Sequence, residues 1–285
     1  MRKELLAISI FIALIIGGCS SKPEFPSINY SSSKQYDNGQ VVWRDLVTAN
    51  PKLAAEFYKN VFGWTSSQVV TGDQPYWIFK SNGKPVAGMY LMTDGKKKAG
   101  GEWVPYFSVS SLEDFIKKSR TGGSNLIVKP VELEGRGNVA LLTDPQGAYF
   151  AIIKSSNGDP VRTDPPEFDF LWNELWSNDI QKSADFYKMI FNSQVEDKKD
   201  DERPYIILKN NGKLSSGIIK NPVEDVRNNW VQYIRVSDVK KTEQKVKDAG
   251  GNVIIPVDST IRNGTVSVFL DPTGAAIAIQ KWPIK

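Results

Sequence analysis

The chain has 285 residues, a net charge of +4, one cysteine and no histidine. This length indicates two domains and an N-terminal extension, and so small a net charge argues against nucleic acid as a partner. A single cysteine excludes a disulfide within the chain. The lack of histidine excludes a Ser-His-Asp triad and removes the usual ligand of zinc and non-haem iron sites.

The N-terminus has the pattern of an export signal. Arg2 and Lys3 precede an apolar run over 5–16, which suits the core of a signal peptide but is short for a membrane-spanning helix. The run ends in Gly17-Gly18-Cys19, which resembles the lipobox of bacterial lipoproteins. We therefore expect a signal peptide over 1–18 and lipidation, including palmitate, at Cys19. The alternative is an unmodified buried cysteine after a membrane helix.

Lipidation at Cys19 would anchor the chain to a membrane of the cell envelope. Because Ser20 follows the cysteine, the sorting pattern of such lipoproteins favours the outer membrane, facing the periplasm, if the source is Gram-negative. Residues 19–40 are rich in Ser, Pro, Asn and Gly and show no hydrophobic periodicity. This composition predicts a flexible tether.

The rest of the chain repeats one unit. Five short segments recur in the same order in its two halves, which indicates two copies of one module. The matching segments are 42–46 and 171–175, 56–59 and 185–188, 103–106 and 230–233, 122–123 and 250–251, and 144–147 and 271–274. The pattern predicts module 1 over 41–155 and module 2 over 168–283, joined by a Pro-rich linker over 156–167.

Hydrophobic periodicity predicts two β-α-β-β-β units in each module. In module 1, strands are predicted near 41–48, 66–71, 75–81, 85–92, 103–109, 125–132, 137–143 and 148–154. The first helix begins at Asn50-Pro51, a good N-cap followed by a residue suited to the first turn, and ends at Gly63. Further helices are predicted over 111–119, 180–191 and 238–249.

This element order, a Phe-Tyr pair in each first helix and an Asp-Pro-x-Gly turn before each last strand resemble the glyoxalase / vicinal-oxygen-chelate (VOC) superfamily. The resemblance covers nearly all of residues 41–283. It implies an α+β fold in which curved mixed sheets surround a cleft in each module, with helices outside. It also implies that modules 1 and 2 pack as an intrachain pseudo-dimer.

Members of the superfamily usually bind a divalent metal in the cleft. The resemblance assigns the ligand positions to Trp43, Val104 and Ala151 in module 1, and to Trp172, Val231 and Ala278 in module 2. None of these side chains can coordinate such a cation, and a metal held by Asp45 or Glu174 alone would have too few ligands. We therefore expect no metal and no cofactor, and neither metal-dependent glyoxalase nor dioxygenase activity.

Alternation along the strands predicts which side chains face the clefts. The module 1 set is Trp43, Asp45, Tyr106, Ser108 and Tyr149. The module 2 set is Trp172, Glu174, Trp176, Tyr233 and Arg235. Each cleft would then have aromatic walls and one carboxylate. In the second cleft, Arg235 could pair with Glu174 or bind an anionic ligand.

Aromatic walls favour binding of a small apolar or aromatic molecule. Two alternatives stay open. The clefts could be plugged by their own tryptophans, leaving an inactive scaffold or partner-binding lipoprotein. Or the chain could be a metal-independent enzyme of the lyase or isomerase type, with Asp45 or Glu174 as general base. The sequence leaves catalysis undecided and does not identify a ligand.

Overall fold

The computed structural model describes residues 24–70, 75–92, 100–200, 203–223 and 226–283. The predicted signal peptide over 1–18 and the predicted lipidation site Cys19 lie outside these residues. Across the described ranges, no helix is long and apolar enough to cross a membrane.

Module 1 forms an eight-stranded mixed sheet with two helices in the part of the chain that the structure describes. Its strands are β1 Val41–Thr48, β2 Thr65–Val70, β3 Tyr76–Ser81, β4 Lys84–Leu91, β5 Glu102–Ser108, β6 Asn125–Leu133, β7 Gly137–Thr143 and β8 Tyr149–Ser155. The helices are α1 Pro51–Phe62 and α2 Leu112–Thr121. The strand order across the sheet is β2-β3-β4-β1-β5-β8-β7-β6.

Module 2 repeats this plan. Its strands are β9 Phe170–Ser177, β10 Gln194–Asp200, β11 Arg203–Asn210, β12 Lys213–Lys220, β13 Asn229–Val236, β14 Asn252–Ile255, β15 Val266–Leu270 and β16 Ala276–Lys281. The helices are α3 Ile180–Phe191 and α4 Val239–Asp248, and a 3-10 turn lies at Arg262–Gly264. The strand order, β10-β11-β12-β9-β13-β16-β15-β14, has the same topology as module 1.

The strand pairing confirms two β-α-β-β-β units per module and the α+β fold. Within each unit the first strand pairs in parallel with the last, as in β1 with β4 and β5 with β8. The two units join through the antiparallel pair β1 and β5. Successive side chains of a strand point to opposite faces. Asp45 and Val47 therefore face the concave side, and Leu46 between them packs on the helix side.

The first helix of each module begins and ends as its local sequence predicts. The Asn50 side chain accepts a hydrogen bond from the Leu53 backbone N–H at 3.1 Å, and Asp179 does the same for Lys182 at 3.0 Å. These N-caps satisfy donors that the first helical turn leaves without partners. Gly63, at φ 72°, ends α1 in the left-handed region that glycine adopts at low cost.

The two modules pack against each other through their helix-bearing faces. One buried cluster combines α1 and Trp103 of module 1 with Phe170, α4 and Phe269 of module 2. A second cluster combines α2 and Phe107 with α3 and Trp230 in the same way. The Phe107 and Trp230 ring centres lie 5.3 Å apart. Shared burial of aromatic side chains therefore holds the modules together.

A hydrogen-bonded network across this interface accounts for three of the repeated motifs. The Trp103 indole N–H donates to the Tyr58 hydroxyl at 2.8 Å, and that hydroxyl donates to Asp271 Oδ2 of the other module at 2.9 Å. The Tyr187 hydroxyl makes the reciprocal bond to Asp144 at 3.3 Å. Burial raises the pKa of Asp144 to about 6. The side chains of this network thus join the modules and do not line the clefts.

Residues 24–40 contain no helix or strand, yet they pack against module 1. Phe25 and Ile28 are buried, and the Phe25 N–H donates to the Glu134 carbonyl at 2.7 Å. The Asn29 amide donates to the Asp159 carbonyl at 2.9 Å. This segment differs from the flexible tether that its composition predicts. The two apolar side chains among its polar residues account for the difference, because module 1 offers a concave apolar surface that buries them.

Candidate functional site

The concave face of module 1 contains a buried carboxylate with aromatic donors. Asp45 Oδ1 accepts hydrogen bonds from the Trp43 indole N–H at 2.9 Å and from the Tyr76 hydroxyl at 2.7 Å. Tyr106 also lies against this group, and burial together with the Asp45 carboxylate raises its pKa well above the ordinary value. Both phenols therefore stay protonated at neutral pH, so they act as donors.

A buried guanidinium completes this cluster. Arg136, in the turn before β7, is fully buried and donates to the Tyr76 hydroxyl. Its guanidinium carbon lies 4.8 Å from the Trp43 ring centre and 4.9 Å from that of Tyr76. The positive charge is thus held by two aromatic faces and lies close to Asp45. Such a charge costs much to bury alone, so the cluster has to be neutralised as a unit.

Module 2 repeats the arrangement around Glu174, which is fully buried. Its Oε1 accepts from the Tyr205 hydroxyl at 2.9 Å and from Arg262 Nη2 at 2.6 Å. Its Oε2 accepts from the Tyr233 hydroxyl. The Trp172 indole N–H donates to Tyr205 at 2.9 Å. Each module therefore presents a tryptophan, a carboxylate, two tyrosines and an arginine on its concave face.

A glycine on the fourth strand of each module makes room for this cluster. A Cβ at Gly88 would lie 1.7 Å from the Tyr76 hydroxyl and 2.1 Å from Asp45 Oδ1. A Cβ at Gly217 would lie 2.1 Å from the Tyr205 hydroxyl. Because these approaches are far below van der Waals contact, any larger residue would displace the tyrosine.

The two clefts differ in free volume. In module 1 the cavity beside Asp45 measures about 20 Å³, enough for about one water molecule. In module 2 the corresponding cleft holds a pocket of about 300 Å³. Its lining is mostly apolar and includes Trp176, Tyr233, Ile219, Ile255, Val266 and Val268, with Arg262 at one side. This volume is at the lower end of the range for small-molecule sites.

Trp176 separates this pocket from a second one of about 340 Å³. The second pocket is lined by Ile254 and Ala276 and extends to Glu102 and Arg227, which form an ion pair. Burial raises the pKa of Glu102, and Arg227 only partly offsets this effect. The Trp176 indole N–H is buried and has no hydrogen-bond partner among the described residues. Trp176 therefore lines both pockets and keeps one polar donor unused.

Comparisons with known proteins agree with this architecture. Residues 170–279 match the model of the Glyoxalase/Bleomycin resistance protein/Dioxygenase superfamily. The chain is similar to the anthracycline biosynthesis protein DauV of Streptomyces sp. (strain C5), with 26% identity over 257 residues, 85% of this chain and 92% of that protein. It is 32% identical to CFP32 of Mycobacterium bovis over 119 residues, 41% of this chain and 45% of that protein. The chain belongs to the glyoxalase/VOC superfamily.

A solved VOC structure shows the same two-module fold. The Mn(II)-bound glyoxalase from Novosphingobium aromaticivorans aligns over 86% of this chain and 83% of its own length. The TM-score is 0.60 at 15% sequence identity, so the likeness concerns the fold alone. The predicted superfamily and its tandem architecture are confirmed.

The positions that the superfamily resemblance assigns to metal ligands carry side chains that do not fit a cation. Trp43, Val104 and Ala151 all lie in the buried cluster of the module 1 cleft. Trp172, Val231 and Ala278 lie in that of module 2. An indole N–H is only a donor, and aliphatic groups offer no lone pair. Within the described ranges, no three Asp, Glu, Cys or His residues lie together as a ligand group.

The structure brings most of the predicted cleft residues together. Trp43, Asp45, Tyr106 and Tyr149 lie on the concave face of module 1. Trp172, Glu174, Trp176 and Tyr233 lie on that of module 2. The Arg227 guanidinium of module 2 lies 5.0 Å from the ring centre of Tyr149 in module 1.

Two predicted residues lie away from the carboxylates. Arg235 donates to Asp164 Oδ2 at 3.0 Å and to the Pro165 carbonyl in the linker, and not to Glu174, which was one of its two possible partners. The pairing of β13 is irregular after Tyr233, and Arg235 lies near the strand end. Ser108 is the last residue of β5 and lies beside Asp159. Alternation still holds at both places, because the flanking residues pack on the helix side, but these strand ends lie beyond the carboxylates.

Sequence reasoning missed the second tyrosine and the arginine of each cluster. Tyr76 and Tyr205 both follow a proline in matching positions of the repeat, and that shared pair was the available signal. Arg136 and Arg262 come from turns before β7 and β15, one and two residues before a glycine. No strand alternation applies in those turns, so their position near the carboxylates depends on the curvature of the sheet.

Proposed function

We propose that this chain is a VOC protein of the cell envelope that binds a small aromatic or apolar molecule, without a metal, in the cleft of module 2. The observation that carries the proposal is the apolar pocket of about 300 Å³ between Trp176, Tyr233 and Arg262. A pocket with aromatic walls and few polar groups is the usual form of a small-molecule site.

The lining sets the chemical class of the ligand. Trp176 and Tyr233 offer faces on which a flat ring can stack, and Ile219, Val266 and Val268 offer aliphatic contact. The DauV relative is named for anthracycline biosynthesis, and an anthracycline is an aromatic polycyclic compound. This name is in keeping with an aromatic ligand, and the chemistry of the lining supports the same class.

The polar groups of the cluster support binding better than catalysis. Both oxygens of Glu174 accept hydrogen bonds, from two phenols and a guanidinium. A carboxylate held in this way orients its donors and shapes the wall, and it is poorly placed to take a proton from a ligand. Since the side chains at the superfamily's metal positions offer no lone pair to a cation, we propose that binding does not use a metal.

The binding proposal is tested by titrating the full chain with the fluorescent aromatic probe 8-anilinonaphthalene-1-sulfonate. Ile219→Trp fills the pocket from its rim, and Val161→Trp places the same side chain on the exposed linker as a control. We expect Val161→Trp to bind like the unmodified chain and Ile219→Trp to bind at least tenfold more weakly. Equal binding by both variants would argue against this pocket as the site.

Native mass spectrometry of the purified chain tests the metal-free part of the proposal. We expect a chain mass with no bound divalent cation, alone or with a co-purified organic molecule. One metal ion per module, retained after desalting, would overturn this part and leave the pocket intact.

The envelope location is tested at Cys19, which resembles a lipobox cysteine. We expect the unmodified chain to incorporate labelled palmitate and to sediment with membranes. Cys19→Ser should lose the label and appear in the soluble fraction, because one removed anchor abolishes the acyl-chain contribution to membrane binding. A label that persists in the variant would contradict lipidation at this residue.

A further inference from the structure

The N-terminal segment, residues 25–29, fills the mouth of the module 1 cleft. Phe25 and Ile28 belong to the same buried cluster as Trp43, Tyr76 and Tyr106 on the concave face. In module 2 the chain before β9 is held elsewhere, by the hydrogen bonds of Arg235 to Asp164 and Pro165. The N-terminal segment thus occupies a cleft whose counterpart is open.

The contacts of the segment are those that a bound aromatic molecule would make. The Phe25 ring centre lies 5.1 Å from that of Tyr76 and 5.5 Å from the Arg136 guanidinium carbon. Arg136 Nε also donates to the Pro26 carbonyl at 3.1 Å. An aryl ring therefore packs on a tyrosine and an arginine, and an oxygen acceptor meets the guanidinium.

The segment leaves polar groups of the cleft unused. The Tyr90 hydroxyl, which lines the remaining cavity, is buried and has no hydrogen-bond partner among the described residues. Arg136 Nη2 is also buried without a partner, and so is the acceptor Asp45 Oδ2, which lines the same cavity as Tyr90. Buried polar groups in a core that serves only stability are nearly always paired. Unpaired polar groups in one buried cluster therefore indicate a surface that can pair with a more polar ligand than the segment.

We propose that the module 1 cleft is a second binding site, closed by residues 25–29, for an aromatic molecule that carries an acidic oxygen. The ring takes the place of Phe25 on Tyr76 and Arg136, and the oxygen accepts from Arg136 Nη2 and the Tyr90 hydroxyl. Residues 30–35 are exposed, so the segment can leave without disturbing the sheet. This site does not depend on ligand binding in module 2.

The test counts the sites for 8-anilinonaphthalene-1-sulfonate, an aromatic ring system with an acidic group, by fluorescence titration of the full chain. Phe25→Ala/Ile28→Ala removes the two buried anchors, and Tyr30→Ala changes an exposed ring in the same segment as a control. We expect one more bound probe per chain in the double variant than in the unmodified chain or Tyr30→Ala.

The count separates this proposal from the one for module 2. The number of bound probe molecules per chain rises from one in the unmodified chain to two in the double variant if the module 2 pocket binds the probe. It rises from none to one if that pocket does not. An unchanged number in a double variant that keeps the near-UV circular dichroism of the unmodified chain overturns the closed site.

A second variant covers the case in which the double substitution unfolds the chain. A protease recognition sequence in place of the exposed Ser31, Ser32 and Ser33 lets the folded chain be cut behind the segment. After cutting and release of the segment, seen by mass spectrometry, we expect the same additional site, and a synthetic peptide of residues 24–30 should remove it. If the segment is released and no new site appears, the proposal is overturned. It is also overturned if saturating probe cannot displace the cut segment.

Discussion

The clefts of the two modules share a framework and differ in what fills it. Each has a tryptophan and a carboxylate on the first strand, tyrosines on the third and fifth strands, and an arginine from a turn. Module 1 buries its arginine completely and places Phe25 over it, whereas module 2 leaves about 300 Å³ open beside Arg262. A repeat can therefore keep its polar anchors and still change the free volume between them.

The difference in free volume does not come from the strands alone. Val47 and Tyr90 are neighbours in module 1, and at the matching positions module 2 has Trp176 and Ile219. In module 1 the aromatic residue is on the fourth strand and the aliphatic one on the first, and in module 2 the reverse holds. Each pair therefore fills a similar volume in its cleft. The void in module 1 is small because the N-terminal segment and Arg136 occupy it.

The largest expected difference between the clefts concerns the two arginines. Arg136→Ala leaves the Asp45 carboxylate buried without a cation, and we expect a loss of about 3–5 kcal/mol in the free energy of unfolding. Arg262→Ala should lose only about 1–3 kcal/mol, because Arg262 lines the open pocket and its removal lets water reach Glu174. Urea unfolding of both variants measures the difference. Equal losses would show that the module 2 pocket does not hydrate its carboxylate.

The interface network predicts a pH dependence that both modules share. The pKa of Asp144 is about 6 in the folded chain against an ordinary 3.8, so folding favours the protonated form. The contribution of Asp144 to the free energy of unfolding is complete below about pH 4 and is lost as the pH rises through 6. The free energy of unfolding then falls by about 3 kcal/mol. Denaturant unfolding at several pH values should show a smaller pH dependence in Asp144→Asn than in the unmodified chain.

The Asp271 carboxyl provides a check on this interpretation. Burial raises its pKa as well, so Asp271→Asn should change the pH dependence in the same direction. A variant of either residue that keeps the full slope would locate the titrating group elsewhere.

The smallest expected effect lies where the modules are most alike, at the N-caps of α1 and α3. Asn50→Ala and Asp179→Ala each remove one side-chain acceptor from an exposed helix start, and we expect each to lose about 1 kcal/mol. Thermal unfolding of the two variants measures both losses. If the two variants lose clearly different amounts of stability, the modules differ in their frameworks as well as in their clefts.

The order of strands and helices and most of the cleft-facing residues could be predicted from the sequence. Alternation correctly placed Trp43, Asp45 and Tyr106 on one concave face, and Trp172 and Glu174 on the other. It also assigned the correct face to Ser108 and Arg235, but both lie at strand ends beyond the carboxylates, and alternation does not specify position along the strand. The arginines of the two clusters lie in turns, to which no periodic pattern applies.

By itself, the sequence determined the repeat, the two β-α-β-β-β units and the side chains at the superfamily's metal positions, because these depend on local periodicity and residue type. Only the tertiary structure decided that Arg136 and Arg262 neutralise the carboxylates, that Phe25 closes one cleft, and that the other cleft stays open. Those outcomes depend on how segments far apart in the chain share one concave surface. Packing across a curved sheet sets that arrangement, and the neighbours of a residue along the chain do not specify it.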